Sequence, residues 1–330
     1  MSIGLGANAR DPKVVTATPP FDLLQPRRTI TGMSAVLLPF LDPATPDIDG
    51  FLAHLVRTVE AGLVPAINMD TGFGPTIGSE LRSELLRLAR GSVAGEVVAG
   101  AHVVDSPGDR FDADGLHREV DALAAAGATP ILFPSHGLAA LDDAQIVEEW
   151  AAVGERVERF LGFELGAQFH PAGRILGLDA YESVLSISSC VGAKHSSLER
   201  SLEWERLRVR DRVRPDFMVL TGNDLAVDMV CYGSDYLLGI TTFAPDLFAE
   251  RDRRWAAGDA SFHELNDDLQ YLGRFAFRSP VPAYKHSAAQ FLRLRGWIDR
   301  DATPAGAPER PPTDVAILAE IAQRLGVAAT

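Results

Sequence analysis

A closed α/β barrel is the fold class that this sequence predicts, and three observations lead to it. Eight short apolar runs follow one another along the chain, and a helical pattern follows each run. Strands that are apolar on both faces and alternate with amphipathic helices are typical of a parallel sheet. The chain has 330 residues, a length that one such barrel with appended segments commonly reaches. We therefore expect a TIM (β/α)8 barrel over residues 31–254.

The predicted strands are short and are separated by helical patterns. The strands cover residues 35–40, 64–69, 97–103, 130–134 and 164–169, a sixth run that contains Lys194, then 217–221 and 236–242. The helical patterns cover about residues 47–61, 79–90, 116–125, 142–160, 178–186, 198–210, 225–232 and 245–253. Eight such units make a closed barrel the simplest architecture.

Two further segments flank the predicted barrel. Residues 1–30 contain prolines and paired arginines but no apolar signal core, so we interpret them as an irregular N-terminal arm packed on or near the barrel. Residues 255–330 predict a C-terminal helical extension, with helices near 262–275, 283–294 and 312–325. We expect this extension to cover one side of the barrel or to form a subunit contact.

Composition excludes several classes of partner. A net charge of −14 argues against nucleic acid or an anionic membrane surface. No apolar run reaches the length of a membrane span. Cys190 and Cys231 lie in apolar contexts without a metal-ligand spacing, so we expect buried, reduced thiols in a cytoplasmic protein.

The sixth strand carries a conspicuous lysine. The chain has only three lysines, Lys13, Lys194 and Lys285, and arginine supplies the other 28 of its 31 basic residues. A lysine desolvated by apolar walls loses its proton more readily and can attack a carbonyl to form an imine, which arginine cannot do. Lys194 is therefore a candidate Schiff-base residue. The alternative is a lysine that closes the strand by pairing with a nearby carboxylate.

Polar side chains follow most of the other predicted strands, where the active sites of such barrels lie. His136 and His170, after strands four and five, are the candidate acid–base groups because histidine titrates near neutral pH. The candidate substrate-binding residues are Asp70, Thr71, Gly72, His102, Asn223, Asp224 and Thr241.

Four motifs in this order resemble the dihydrodipicolinate synthase and N-acetylneuraminate lyase family over about residues 30–326. They are the Gly-x-Lys lysine on strand six, Thr71-Gly72 after strand two, Gly222-Asn223-Asp224 after strand seven and Gly239-Ile240-Thr241 on strand eight. The resemblance implies a class I lyase on a TIM barrel with a C-terminal helical domain. It also implies an imine at Lys194 without a cofactor, a substrate head held by Thr71, and a homo-oligomer, either dimer or tetramer.

The chain departs from that family at two positions. The segment after strand four, residues 133–138, lacks the family's proton-relaying tyrosine, so His136 or His170 would take its role. Asp70 stands where the family has a hydroxyl residue that binds the carboxylate of pyruvate. An ionised aspartate would repel such a carboxylate by several kcal/mol at an effective dielectric of about 20. We therefore expect a divergent Schiff-base lyase, catalysing aldol cleavage or dehydration, whose small carbonyl substrate is a keto-sugar or sugar-derived oxo acid.

Two other functions remain open. His102, His136, His170 and Asp70 could bind a divalent metal in a metal-dependent lyase or isomerase. The chain could also be a catalytically inactive binding barrel. For Lys285 and His286, in the predicted C-terminal helices, we expect a structural or interface role, and for Arg174 either a substrate-anion contact or a loop salt bridge.

Overall fold

The computed structural model of the chain describes residues 20–327. Eight parallel strands close into a barrel and pair in chain order, with the last strand returning to the first. The strands are β1 (Gly32–Ala35), β2 (Val64–Ile67), β3 (Val98–Ala101), β4 (Thr129–Leu132), β5 (Phe160–Leu165), β6 (Cys190–Ser196), β7 (Met218–Thr221) and β8 (Asp235–Leu238). The predicted TIM barrel is confirmed.

Helices surround the barrel. They are α1 (Ile48–Glu60), α2 (Ser79–Ser92), α3 (Ala113–Ala125), α4 (Asp143–Gly154), α5 (Leu178–Val184), α6 (Arg200–Val213) and α7 (Pro245–Ala257). Side chains define several helix starts: Asp47 accepts a hydrogen bond from the Gly50 N–H at α1, and Asp142 and Gln145 form a capping box at α4. After β7 the predicted helix over 225–232 is a 3-10 helix, Val227–Tyr232, which ends at Gly233 with a φ of 103°.

Three more helices follow the barrel, as the sequence predicts. They are α8 (Ser261–Ala276), α9 (Tyr284–Leu294) and α10 (Asp314–Arg324). The start of α9 lies over the mouth of the barrel, because Tyr284 and Lys285 contact residues that follow β2. The helical extension therefore contributes to the cavity described below as well as covering the barrel.

Two strand predictions are displaced along the chain, and the predicted strand 236–242 runs past the end of β8 at Leu238. β1 ends at Ala35 instead of beginning there, and β5 spans 160–165 instead of 164–169. Residues 36–38 are apolar because they remain buried beyond the ladder, where the Val36 N–H still donates to the Ala66 carbonyl. Burial, and not strand pairing, therefore explains why residues 36–38 are apolar.

Apolar side chains fill the barrel and the layer outside it. Inside lie Met33, Ala66, Val98, Ile131, Leu161, Leu220 and Leu237. Both cysteines are free and buried, as predicted. No described helix is both long and apolar enough to cross a membrane.

The predicted N-terminal arm lies partly outside the described residues, since 1–19 are not among them. From residue 20 onward the chain packs at the start of β8. Arg28 donates to the Ser234 carbonyl (2.7 Å) and to Asp235 (2.6 Å), and the Thr31 N–H donates to the same carboxylate (2.8 Å).

Candidate active site

A cavity of about 210 Å³ opens at the C-terminal ends of the barrel strands. Its apolar wall includes Met69, Phe133, Phe163, Phe169 and Phe277. The polar side chains that line it are Asp70, Thr71, His102, Asp105, Ser135, His136, His170, Lys194, Ser196, Asp224 and Tyr284. The catalytic candidates Lys194, His136 and His170 thus face one enclosed space.

Lys194 points into this cavity from β6. Successive strand residues face opposite sides, so Lys194 faces inward and His195 faces the surrounding layer. The Lys194 Nζ lies 4.6 Å from the centroid of the Phe163 ring, and within residues 20–327 it makes no hydrogen bond and no ion pair. Burial lowers the pKa of Lys194, while Asp224 and then Asp70 oppose that shift. The amine is therefore poised to lose its proton.

Asp224 follows β7 on the wall beside Lys194. Its side chain is buried, and its Oδ1 accepts a hydrogen bond from the Ile240 N–H at 2.8 Å. Burial raises the pKa of Asp224 to about 6, although the charge of Lys194 and nearby backbone N–H groups oppose the rise. Lys194 and Asp224 are thus shifted toward their neutral forms.

Asp70 lies at the mouth and is held by the C-terminal helix α9. Its Oδ1 accepts from Lys285 Nζ at 2.9 Å, and its Oδ2 accepts from the Tyr284 hydroxyl at 2.9 Å. The Thr71 hydroxyl lies 2.8 Å from the same Tyr284 oxygen. The partial desolvation of Asp70 in the mouth opposes its ionisation, but the charge and hydrogen bond of Lys285, aided by Tyr284, outweigh it and lower the pKa.

His102 lines the cavity but uses one ring nitrogen for structure. Its Nε2–H donates to the Asn68 carbonyl at 2.7 Å, and its ring centroid lies 4.2 Å from that of Phe133. Burial lowers the pKa of His102 to about 4, so the ring is neutral near pH 7. Gly100 leaves room for this contact, because a Cβ there would lie 2.6 Å from His102 Nε2.

His136 and His170 face each other with ring centroids 5.6 Å apart. His170 Nδ1 accepts from the Ala172 N–H at 3.0 Å, so its neutral ring carries the proton on Nε2. Burial, followed by the nearby His136, lowers the pKa of His170. His136 begins a one-turn helix, His136–Ala139, and Asp105 accepts the backbone N–H groups of His136 and Gly137 at 2.8 and 2.7 Å.

Three residues expected to bind substrate do not line the cavity. The Thr241 hydroxyl donates to the Leu238 carbonyl (2.6 Å), and Asn223 Oδ1 accepts from the Leu225 N–H (3.0 Å). Gly72 packs against the chain instead, since a Cβ there would lie 3.0 Å from the Val36 carbonyl oxygen. In the structure these residues shape the turns that carry their neighbours.

His195, the residue after Lys194, also lies away from the cavity. His195 Nδ1 is 2.9 Å from Glu164 Oε2, and its Nε2 is 2.7 Å from the Ser197 hydroxyl, all outside the barrel wall.

Arg174 forms the loop salt bridge that was one of its two alternatives, with Asp143 at 2.5 Å. Within residues 20–327, no group of three or more His, Cys, Asp or Glu side chains is arranged to hold a metal ion. The described residues therefore provide no ligand set for the metal-dependent alternative.

Sequence reasoning missed two residues of the site. Tyr284 lines the cavity, and Lys285, expected to be structural or at an interface, is paired with Asp70 at the mouth. One signal was available, because Lys285 is one of only three lysines in the chain. The local sequence pattern does not predict that α9 lies over the barrel mouth.

Comparisons with known proteins agree with the fold. No protein-family model matches the chain. The 4-hydroxy-tetrahydrodipicolinate synthase of Kosmotoga olearia is 28% identical over 233 residues, which are 68% of this chain and 75% of that protein. The resemblance to the dihydrodipicolinate synthase family is confirmed.

Two solved structures share the fold. The dihydrodipicolinate synthase of Thermotoga maritima matches with a TM-score of 0.76 at 17% identity, covering 91% of this chain and 100% of that one. YagE, a prophage protein of Escherichia coli K12 from the dihydrodipicolinic acid synthase family, was solved in complex with pyruvate. It matches with a TM-score of 0.77 at 18% identity, covering 90% and 99%. The prediction of a lyase-type enzyme of the class I, Schiff-base kind is supported by the curated relative.

Proposed function

We propose that this protein is a Schiff-base-forming lyase in which Lys194 condenses with the carbonyl group of a small substrate. The observation that carries the proposal is the unpaired amine of Lys194, which lies against the Phe163 ring inside the cavity with a lowered pKa. A neutral amine is the form that attacks a carbonyl carbon. The resulting iminium withdraws electrons, which lowers the barrier to breaking a C–C or C–O bond one carbon further out.

Thr71 and Tyr284 are the groups that we assign to the polar head of the substrate. Because the Tyr284 hydroxyl donates to Asp70, the Thr71 hydroxyl donates to Tyr284, and the Thr71 oxygen keeps lone pairs for a substrate hydroxyl. The three side chains form a continuous path for a proton from the buried Thr71 to Asp70, whose side chain is 55% exposed. Tyr284 thereby supplies the tyrosine hydroxyl that the segment after β4 lacks.

His136 and His170 line the same cavity and are not bonded to this path. Since His170 carries its proton on Nε2 when neutral, it is suited to give a proton to a departing oxygen and later to recover it. We assign the pair to proton transfer at the part of the substrate that leaves. His102 contributes a neutral wall, because burial lowers its pKa to about 4, and its Nε2–H is already donated to Asn68.

A keto-sugar or sugar-derived oxo acid is the substrate class that we propose. The described cavity wall contains several hydrogen-bond acceptors for hydroxyl groups, such as Asp70, Asp105 and Asp224, and no arginine to bind a carboxylate. Pyruvate is the second candidate, and one observation favours it. Lys285 offsets the charge of Asp70 and so weakens the repulsion that a substrate carboxylate would meet there.

Borohydride trapping tests the proposal. The protein is incubated with borohydride and either dihydroxyacetone, a set of longer keto-sugars, or pyruvate, and the adduct is located by peptide mass spectrometry. We expect a reduced adduct on Lys194 that the Lys194→Ala variant does not form, while Lys13 and Lys285 serve as internal controls in the same digest. Absence of any adduct, or an adduct spread over all three lysines, would refute the imine mechanism. The ratio of keto-sugar to pyruvate adduct decides between the two substrate classes.

The remaining expectations about partners stay predictions. A homo-oligomer and a cytoplasmic location are consistent with the sequence, and sedimentation of the full chain at several concentrations tests the former. We expect neither nucleic acid nor a membrane as partner, because the net charge is −14.

A further inference from the structure

We propose that Asp224 is a further catalytic residue, which donates the proton that removes water when Lys194 forms its imine and then remains as the counter-ion of the iminium. This inference rests on the proposed function, because it assigns a role in the step at Lys194. It differs from the substrate-binding role that the sequence alone suggests for Asp224. It is also distinct from the path through Thr71, Tyr284 and Asp70, which serves the substrate's head.

The end of β7 packs directly against the stem of Lys194. A Cβ added at Gly222 would lie 2.7 Å from Lys194 Cε and 2.0 Å from the Ser196 hydroxyl oxygen. Asp224 comes two residues later and lines the same cavity. The glycine therefore lets Lys194 and the Asp224 carboxyl group share one wall of the cavity.

The Asp224 carboxyl group is held in place by the backbone and is not bonded to another side chain of the described residues. Its Oδ1 accepts from the Ile240 N–H at 2.8 Å, and Gln270 Nε2 donates to the Asp224 backbone carbonyl at 3.2 Å. The residue is 7% exposed, and among residues 20–327 its carboxyl group accepts hydrogen bonds from backbone N–H groups and from no side chain. A buried carboxyl group that is held by the backbone and not occupied by another side chain, on the same cavity wall as the reactive amine, fits a proton donor.

The other carboxyl groups of the cavity are engaged. Both oxygens of Asp70 are bonded to Lys285 and Tyr284, and both oxygens of Asp105 accept backbone N–H groups of the one-turn helix. The ionisable groups that act on Asp224 are Lys194 and, across the cavity, Tyr284. Burial raises the pKa of Asp224 to about 6, so an appreciable protonated fraction exists near neutral pH.

The step balances with these two groups alone. The neutral Lys194 amine adds to the carbonyl carbon, an N–C bond forms, and a proton moves from nitrogen to oxygen to give a carbinolamine. Asp224 donates its proton to that hydroxyl, the C–O bond breaks, water leaves, and the nitrogen lone pair completes the C=N bond. A neutral amine and a neutral acid thus become an iminium and a carboxylate, a pair that is stabilised by mutual attraction in a buried site.

The test uses the smallest carbonyl compound, so that it does not depend on the unidentified substrate. The full-length protein is treated with formaldehyde and cyanoborohydride, which reduces iminium ions, and the rate of methylation at Lys194 is followed by peptide mass spectrometry from pH 5 to 9. Asp224→Asn keeps an oxygen for the Ile240 N–H but cannot donate a carboxylic proton. Asp216→Asn is the matched control, since Asp216 is a 79% exposed carboxylate just before β7.

Electrostatics and proton donation predict opposite results for Asp224→Asn. The Asp224 charge raises the pKa of Lys194, so removing that charge leaves more neutral amine and would speed methylation if Asp224 acted only through its field. As a proton donor, Asp224 is instead required for the loss of water. We expect methylation of Lys194 to slow at least tenfold in Asp224→Asn. In the wild-type protein the rate should decline above about pH 6, where Asp224 loses its proton, and this decline should be absent in the variant. Asp224→Glu should recover part of the rate.

Unchanged or faster methylation in Asp224→Asn, with the same pH profile as the wild-type protein, would overturn the assignment. If Asp224→Asn does not fold, as judged by circular dichroism, the comparison rests on Asp224→Glu, which must keep the pH dependence but shift it. A parallel trap with dihydroxyacetone or pyruvate reports on the proposed function separately. A protein that forms neither adduct but still shows the Asp224-dependent reaction with formaldehyde would lose the lyase assignment and keep the role of Asp224.

Discussion

The Lys285 ammonium lies 2.9 Å from Asp70 Oδ1, so a helix outside the barrel fixes a carboxylate at the barrel mouth. These two residues are 215 positions apart in the chain. Their pairing makes the C-terminal helical extension part of the cavity, because Tyr284 next to Lys285 bonds to the same carboxylate. A substitution in α9 should therefore affect catalysis at residues that follow the barrel strands, although α9 lies outside the barrel.

Replacement of Lys285 by methionine should impair the site without unfolding it. The charge of Lys285 is what keeps the pKa of Asp70 low against the effect of burial, so its loss raises that pKa. We expect kcat/KM to fall about tenfold, which corresponds to about 1.4 kcal/mol. The acidic side of the pH–rate profile should move to higher pH, because Asp70 then takes up its proton earlier. Lys285→Arg keeps the charge and should retain the profile, and an unshifted profile in Lys285→Met would contradict this account.

Removal of the Tyr284 hydroxyl should break the path between Thr71 and Asp70. Tyr284→Phe keeps the ring that stacks on Phe277 at a centroid distance of 4.3 Å, so packing is preserved while both hydrogen bonds are lost. We expect kcat to fall about 100-fold, the usual scale of a lost proton-transfer group, with little change in melting temperature. The measurement is steady-state kinetics on the substrate found by trapping.

A double-variant cycle shows whether Thr71 and Tyr284 act together. If they form one path, Thr71→Val in the Tyr284→Phe background should cost far less than it does alone. Losses that simply multiply would mean that the two hydroxyls act independently. Such a result would refute the proposed proton path but would not affect the proposed imine at Lys194.

The repeating pattern of strand and helix is enough to predict the barrel and the face on which the site lies. Strand order then brings Lys194, His136 and His170 to one cavity, because all strands of such a barrel end on the same side. Tyr284 and Lys285 could not be placed in this way. Their position depends on how α9 packs across the mouth, and no periodic pattern encodes that contact.

Alternation along a strand explains another limit of sequence reasoning. His195 follows Lys194 directly in the sequence, but a step of one residue turns its side chain to the outer face. There it is buried next to Glu164 and Ser197. The outer layer of the barrel has polar contacts of its own, which local sequence cannot separate from those of the cavity.

The space above Gly222 offers a test of Lys194 that replaces no polar side chain, although it also displaces the Ser196 hydroxyl. Gly222→Ala would place its Cβ 2.0 Å from the Ser196 hydroxyl and 2.7 Å from Lys194 Cε, so the lysine must move. We expect trapping at Lys194 to slow at least tenfold. Gly91→Ala is the control, because nothing lies within 4 Å of its added Cβ in α2, and it should trap at the normal rate. Normal trapping in both variants would show that the position of Lys194 does not depend on this wall.

The buried ion pair outside the barrel predicts how stability depends on pH. Glu164 is bonded to Arg206 through two contacts of 2.6 Å and to His195 at 2.9 Å. Burial alone would raise its pKa, but the charge of His195 and the bonds from Arg206 outweigh burial and lower it to about 2, from an ordinary value of 4.5. The folded state then binds fewer protons than the unfolded state, so this contribution is complete above about pH 4.5 and is lost as the pH falls toward 2.

Glu164→Gln should therefore remove both the stability and its pH dependence. It leaves the buried Arg206 charge without its carboxylate, with only the Leu202 and Leu176 carbonyls as acceptors, so we expect the free energy of unfolding at pH 7 to fall by about 3 to 5 kcal/mol. Urea unfolding at pH 7 and at pH 4 measures the change, and the loss on acidification should be smaller in the variant. The control is Glu182→Gln, whose partner Arg212 lies 2.7 Å away with side chains 43% and 62% exposed, and it should cost about 1 kcal/mol or less. Equal effects of the two substitutions would show that burial adds nothing to the pair, because an exposed pair is already weakened by water.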